Sequence, residues 1–136
     1  MSRVKLALLL ASAVSVSACN NSTTNIPTTP TQPNYVTDTF EGTVGRNGAV
    51  THPFSVSSAG VVTATVQTLS DSSKTIGVSL GTWNGSACAV IIANDQAVQG
   101  VTVTGQATAF GTLCVRVYDV GSVADPLGYV LQVIHP

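Results

Sequence analysis

Charge is what this chain has least of. Lys and Arg number 5 and Asp and Glu 6 in 136 residues, so charged side chains make up 8%. Two of the cations, Arg3 and Lys5, stand at the start, leaving Arg46, Lys74 and Arg116 against Asp38, Glu41, Asp71, Asp95, Asp119 and Asp125. Without clustered cations the chain lacks the means to neutralise phosphates, which excludes nucleic acid and anionic lipid as electrostatic partners. Solubility must rest on Thr, Ser, Asn and Gln. Aromatic residues are also few, at 5%, and histidines number 2. His52 precedes Pro53 in a strand-like run, which suggests an edge strand, and His135 stands near the other end of the sequence. Neither has the sequence context of a general base. No GxSxG elbow, HExxH, phosphate-cradling glycine loop or CxxC pair occurs, so no catalytic residue, metal ligand set or cofactor site is predicted. Asp95, Asp119 and Asp125 carry oxygens that could ligate calcium, but aspartate is common where a chain reverses, and they are read as turn residues. Serines are numerous and read as solvated surface.

Apolar runs are short. The stretch Leu6 to Val16 follows Arg3 and Lys5 and falls short of the roughly 20 residues a spanning helix needs, which is the layout of a secretory signal. It ends in Val16, Ser17, Ala18 and Cys19, and these four residues resemble the lipobox of bacterial lipoproteins. That resemblance implies a signal peptide at 1–18, diacylglyceryl modification of the Cys19 sulfur, cleavage before it, and often a further acyl (palmitate-type) chain on the new amine. Two or more chains hold a protein stably on a membrane, at about 0.8 kcal/mol per buried methylene. The resemblance therefore places the protein in the bacterial cell envelope. Asn20 stands where an aspartate would resemble an inner-membrane retention signal, and this favours the outer membrane. Residues 19–35 continue almost wholly in Asn, Ser, Thr, Gln and Pro, too polar to offset their ordering entropy, and read as a flexible tether.

Residues 36–136 have the size of one domain. Val62, Ala64 and Val66 alternate with Thr63, Thr65 and Gln67; Ile76, Val78 and Leu80 alternate with Thr75, Gly77 and Ser79; Leu113, Val115 and Val117 alternate with Cys114, Arg116 and Tyr118. Period two, with abundant Val and Thr and no helical pattern, predicts strands. Breaks are read at Gly45–Gly48, Ala59–Gly60, Ser70–Ser73, Asn84–Gly85, Asn94–Gln96, Gly105–Gln106 and Gly121–Pro126. They delimit about eight short strands, which suits a single antiparallel β-sandwich or jelly roll. Asn84–Gly85 reads as a tight hairpin, because both residues tolerate positive φ.

The segments THPFSVSSAGVVTATV, FGTLCVRVYDVG and PLGYVLQVIHP resemble strands of the bacterial pre-peptidase C-terminal domain, a jelly-roll module appended to exported proteases and other secreted proteins. The likeness covers most of residues 39–136. The segment before Phe54 lacks the acidic residues common in that family and no protease domain precedes it, so calcium or collagen binding is carried to no residue here.

Cys88 and Cys114 share an exported domain and are expected to pair, which disfavours a redox or metal pair. By parity Cys114 shares a face with Arg116 and Tyr118, so the bridge is expected on or near an outer face. Cys88 has no assignable face, since Ala87 to Ala93 is apolar on both. Trp83 reads either as a cap on one end of the core or, with Tyr118, as a candidate binding surface. The functional reading is a non-catalytic binding or interaction module, with an envelope polysaccharide or a protein as partner; a passive structural lipoprotein is the alternative, and an enzyme comes third.

Overall fold

A computed structural model describes residues 31–136; the expected signal peptide, Cys19 and the expected tether as far as residue 30 lie outside the described residues. Residues 31–35 carry no regular structure and lead into eight strands. These are β1 (Val36–Val44), β2 (Ala49–Val56), β3 (Gly60–Leu69), β4 (Ile76–Trp83), β5 (Cys88–Ala97), β6 (Thr102–Ala107), β7 (Gly111–Asp119) and β8 (Leu127–His135). They form two four-stranded antiparallel sheets, ordered β1-β8-β3-β6 and β2-β7-β4-β5. The pairs β4·β5, β3·β6, β2·β7 and β1·β8 nest one inside the next, as in one long hairpin rolled into two layers. That is a jelly roll, as the alternation predicts.

The alternating apolar residues fill the space between the layers. Val62, Ala64 and Val66 of β3 and Leu131 and Val133 of β8 face Ile76, Val78 and Leu80 of β4 and Val115 and Val117 of β7, all buried. Each large side chain so removed from water stabilises by up to about 1.5–3 kcal/mol. On the outer face of the first sheet the registers align Thr39, Gln132, Thr65 and Thr102 in one row and Thr37, Ile134, Thr63 and Thr104 in the next. Hydroxyls and amides thus solvate a sheet that has almost no charge; the Thr65 and Thr102 hydroxyls bond each other at 2.8 Å.

Five of the breaks read from the sequence fall between strands. Asn94–Gln96 does not: it lies inside β5, where the register against β4 slips and the Asn94 side chain accepts the Gln96 amide at 2.8 Å. These residues form a bulge, the other local use of turn-forming side chains in a strand. Gly105 lies inside β6. There it permits close approach of the sheets, since a Cβ would stand 3.3 Å from Leu80 Cδ1 and 3.8 Å from Ile92 Cγ2. The turns actually flanking β6 occupy residues 98–101, with Gly100 at φ +89°, and 108–110. The Asn84–Gly85 hairpin is also longer than expected: Ala87, not Gly85, closes it, and Asn84 Oδ1 accepts the Ser86 and Ala87 amides at 3.0 and 2.8 Å.

Candidate functional site

Along β4 the outward residues Gly77, Ser79 and Gly81 are small, with Trp83 following only at the end of the strand, and the three leave a trough across the second sheet into which its neighbours lean. At Gly81 the β5 backbone moves in. A Cβ there would stand 2.7 Å from the Ala89 carbonyl carbon and 3.0 Å from Val90 Cα. This lean brings Cys88 of β5 within 5.8 Å of Cys114 of β7, measured between Cα atoms, although β4 runs between them, and the two form a disulfide. The bridge lies on the outer face, as parity requires, yet Cys114 is fully buried.

A second tie crosses β4 at Gly77. Tyr118 of β7 lays its ring over that glycine, and its hydroxyl donates to Asp95 of β5. Burial first, then the Asp95 carboxylate, push the Tyr118 phenol up to about 12. The Arg116 guanidinium, two residues earlier on β7, sits over the Tyr118 ring at 5.5 Å from its centroid. Strand β5 is therefore fastened to β7 at both ends, covalently at Cys88 and by a hydrogen bond at Asp95.

Between these fastenings lies the apolar stretch Ala89 to Ala93. Val90 is 47%, Ile91 72% and Ile92 40% exposed, three consecutive aliphatic side chains facing water. The register slips within the segment, between Leu80 and Gly81 of the partner strand, which leaves Ile91 without an opposite residue, and again beyond it, between Ile76 and Val78. The strand is an edge. Folded proteins protect edges with charge, proline, shortness, cover or bulges, and of these β5 has only the bulges. Here β1 carries Asp38 and Glu41, β2 carries Pro53, and β6 has 6 residues. Strand β5 has 10 residues and a single charge, Asp95, already engaged by Tyr118.

The two open sides of the sandwich differ in the same sense. Where β1 meets β2, Phe40 stacks on His52 with centroids 4.8 Å apart, and Phe54 packs on His135 at 5.0 Å. His52 Nε2 lies 2.8 Å from the Tyr129 hydroxyl and His135 Nε2 3.1 Å from Asp38, so rings close this side. Where β5 meets β6, a groove of about 490 Å³ runs between Ile92–Gln96 and Thr102–Thr104. Beside it a cleft of about 30 Å³ reaches down to Val62, Leu80 and Leu113, with Ile91 and Ile92 at its mouth. A space of that size admits one small aliphatic tip. A larger depression of about 620 Å³ on the first sheet, between Glu41 and Thr43 of β1 and Thr68 of β3, lies open to solvent and mixes hydroxyls with the side chains of Leu69 and Val130.

The aromatic seal carries a pH dependence. Burial holds His52 below its ordinary 6.5, and burial pushes Tyr129 up to about 12. For a depressed histidine the folded state resists a proton that the unfolded chain accepts, so stability is full above about pH 6.5 and falls as the pH drops through the lower folded value. For Tyr129 stability falls as the pH rises from about 10 towards 12. Thermal melts are expected to show a lower midpoint at about pH 5 than at about pH 7.5, and His52→Gln is expected to flatten that acid limb. The pair His135–Asp38 is common to both proteins and cancels in the comparison. An acid limb equally steep in the variant removes His52 from the account.

Of the three aspartates considered for calcium, Asp95 and Asp119 have structural partners. Asp119 Oδ2 accepts the Asn47 amide at 2.9 Å and Oδ1 those of Gly121, Ser122 and Val123, and the Asn47 amide leads in holding this carboxylate below its ordinary range. It ties the turn before β2 to the loop after β7. Trp83 and Tyr118 share the outer face of the second sheet but not a patch. Tyr118 pairs with Gly77, and Trp83 stands six residues on, opposite Cys88, about 20 Å along the strand. Both are part-buried. The one run of consecutive exposed aliphatics among the described residues is on β5 instead, and the sequence signal for it is the run Ala87–Ala93, apolar on both faces without being a core strand. No model of a known family matches the chain, and no curated protein does.

Proposed function

We propose that the chain is a lipid-anchored lipoprotein of the bacterial envelope whose jelly roll is a non-catalytic interaction module for a protein partner. The residues Val16 to Cys19 support the anchor, and the polar tether 19–35 would hold the domain clear of the headgroups. What carries the interaction reading is Val90–Ile92: three consecutive exposed aliphatics on the one long, nearly uncharged edge strand of the described fold. Exposed apolar surface of this kind marks association sites. The ties at Cys88 and Asp95 hold the strand in place before a partner arrives, which reduces the ordering entropy lost on binding. An apolar edge beside an apolar cleft suits polypeptide better than a hydroxyl-rich polysaccharide.

One set of cells tests both halves. The full chain, made in its own host with a photo-crosslinking side chain at position 91 or at position 39, is expected to give discrete protein adducts from 91 and none from 39. Thr39 lies on the hydroxyl face and serves as the control. The protein is expected in the membrane fraction, and Cys19→Ser in the soluble fraction. Equal labelling from the two positions, or none from 91, overturns the interaction reading; membrane retention of Cys19→Ser overturns the anchor.

A further inference from the structure

We infer that the partner of β5 is a second copy of this chain, joined edge to edge about a two-fold axis at Ile91. This rests on the interaction reading above and names its occupant. Isologous pairing is the commonest way for identical chains to associate, and it requires a surface complementary to itself. Strand β5 meets that condition. An antiparallel pairing centred on Ile91 sets Val90 against the second copy's Ile92 and Ala89 against its Ala93, apolar against apolar. The single charge, Asp95, falls opposite Ala87, so no like charges meet. Strands β1, β2 and β6 offer less: β1 would bring its two carboxylates into the contact, Pro53 interrupts the donors of β2, and β6 is short and polar.

The geometry also limits the assembly to two. Endless growth through the second sheet needs both its edges, and its other edge, β2, carries Pro53 and lies beside the ring cluster of Phe40, His52 and Tyr129. The slip in β5 at Ile91 strengthens local twist and interrupts a continuous ladder, so side-chain packing holds the pair. In each copy the cleft beside Ile91 can accept an aliphatic tip from the other. The contact area is small, which predicts a weak, concentration-dependent dimer.

Sedimentation velocity of the oxidised full-length protein in detergent tests this. Wild type is expected to pass from monomer to dimer as concentration rises. Ile91→Lys and Ile91→Glu are each expected to weaken the dimer at least tenfold, because like charges then meet at the axis. Mixed together they are expected to restore it, since Lys meets Glu only across a self-contact at this position. Ile91 is exposed, so both variants keep the fold, which an unchanged far-ultraviolet spectrum verifies. A wild type that stays monomeric, a dimer that survives Ile91→Lys, or a mixture that fails to associate overturns self-pairing. If the purified protein stays monomeric while position 91 crosslinks to a different protein in cells, self-pairing fails and the interaction reading stands. Absence of both signals removes both.

Discussion

Replacing Cys88 and Cys114 by serine is expected to lower the free energy of unfolding by about 3.5 kcal/mol, the loop-closure value for a sequence separation of 26. A domain of this size has only about 5–15 kcal/mol to lose, so the midpoint should fall by on the order of 15 °C or more. The local consequence is as specific as the global one. Without the bridge nothing covalent holds the start of β5 over Gly81, and position 114, where the native cysteine is fully buried, becomes accessible. Amide exchange should therefore quicken in residues 88–93 well beyond the change in β3 or β8. Urea unfolding with and without reductant gives the first quantity, and exchange followed by mass spectrometry the second. A midpoint that does not move on reduction would show that packing of β5 on β4 alone holds the strand.

The parts of this fold legible in the sequence are those where one residue meets one face. Strands β3, β4 and β7 alternate cleanly because one side of each looks into the core, and parity alone put Cys114, Arg116 and Tyr118 on the outer face. Legibility fails where three strands act together. Gly77 reads as an ordinary polar-face position of an alternating strand and nothing marks Gly81; the purpose of both depends on Tyr118 and Ala89 lying across them from β7 and β5, which no spacing along one strand encodes. Gly105 and Asn94 share the composition of turns, yet here serve close sheet approach and a bulge. The run Ala87–Ala93 was legible as apolar on both faces but gave no orientation, because its environment is set by the position of β5 at the edge of the second sheet. Trp83 and Tyr118, paired as one candidate surface, lie too far apart along the sheet to form a patch, since rank along β4 comes from the registers of its pairing with β5 and β7. His52 and Tyr129, 77 positions apart, meet only because β1·β8 and β2·β7 stack at the same side of the roll.

The trough across β4 predicts a contrast between two glycines that local propensity would treat alike. In a strand interior Gly→Ala ordinarily stabilises, since glycine loses more backbone entropy and packs nothing. At Gly105 the new methyl would meet only the flexible ends of Leu80 and Ile92, beside a cleft of about 30 Å³, and the expected change is within about 0.5 kcal/mol of zero. At Gly81 it would meet backbone, the Ala89 carbonyl carbon at 2.7 Å and Val90 Cα at 3.0 Å, and relief requires lifting β5. Overpacking costs about 1–3 kcal/mol, and Gly81→Ala should reach the upper end because the bridge at Cys88 resists the lift. That resistance makes the two features interdependent: with both cysteines replaced by serine, β5 is free to rise, and the cost of Gly81→Ala should shrink by at least about 1 kcal/mol. Denaturant melts of the four proteins in this cycle, with Gly105→Ala alongside, measure it. Equal costs at positions 81 and 105, or a cost at 81 indifferent to the bridge, would mean that the β5 backbone does not press on β4 as described. The expected coupling would show that Gly81 is kept bare so that the bridge can hold an apolar edge strand in place.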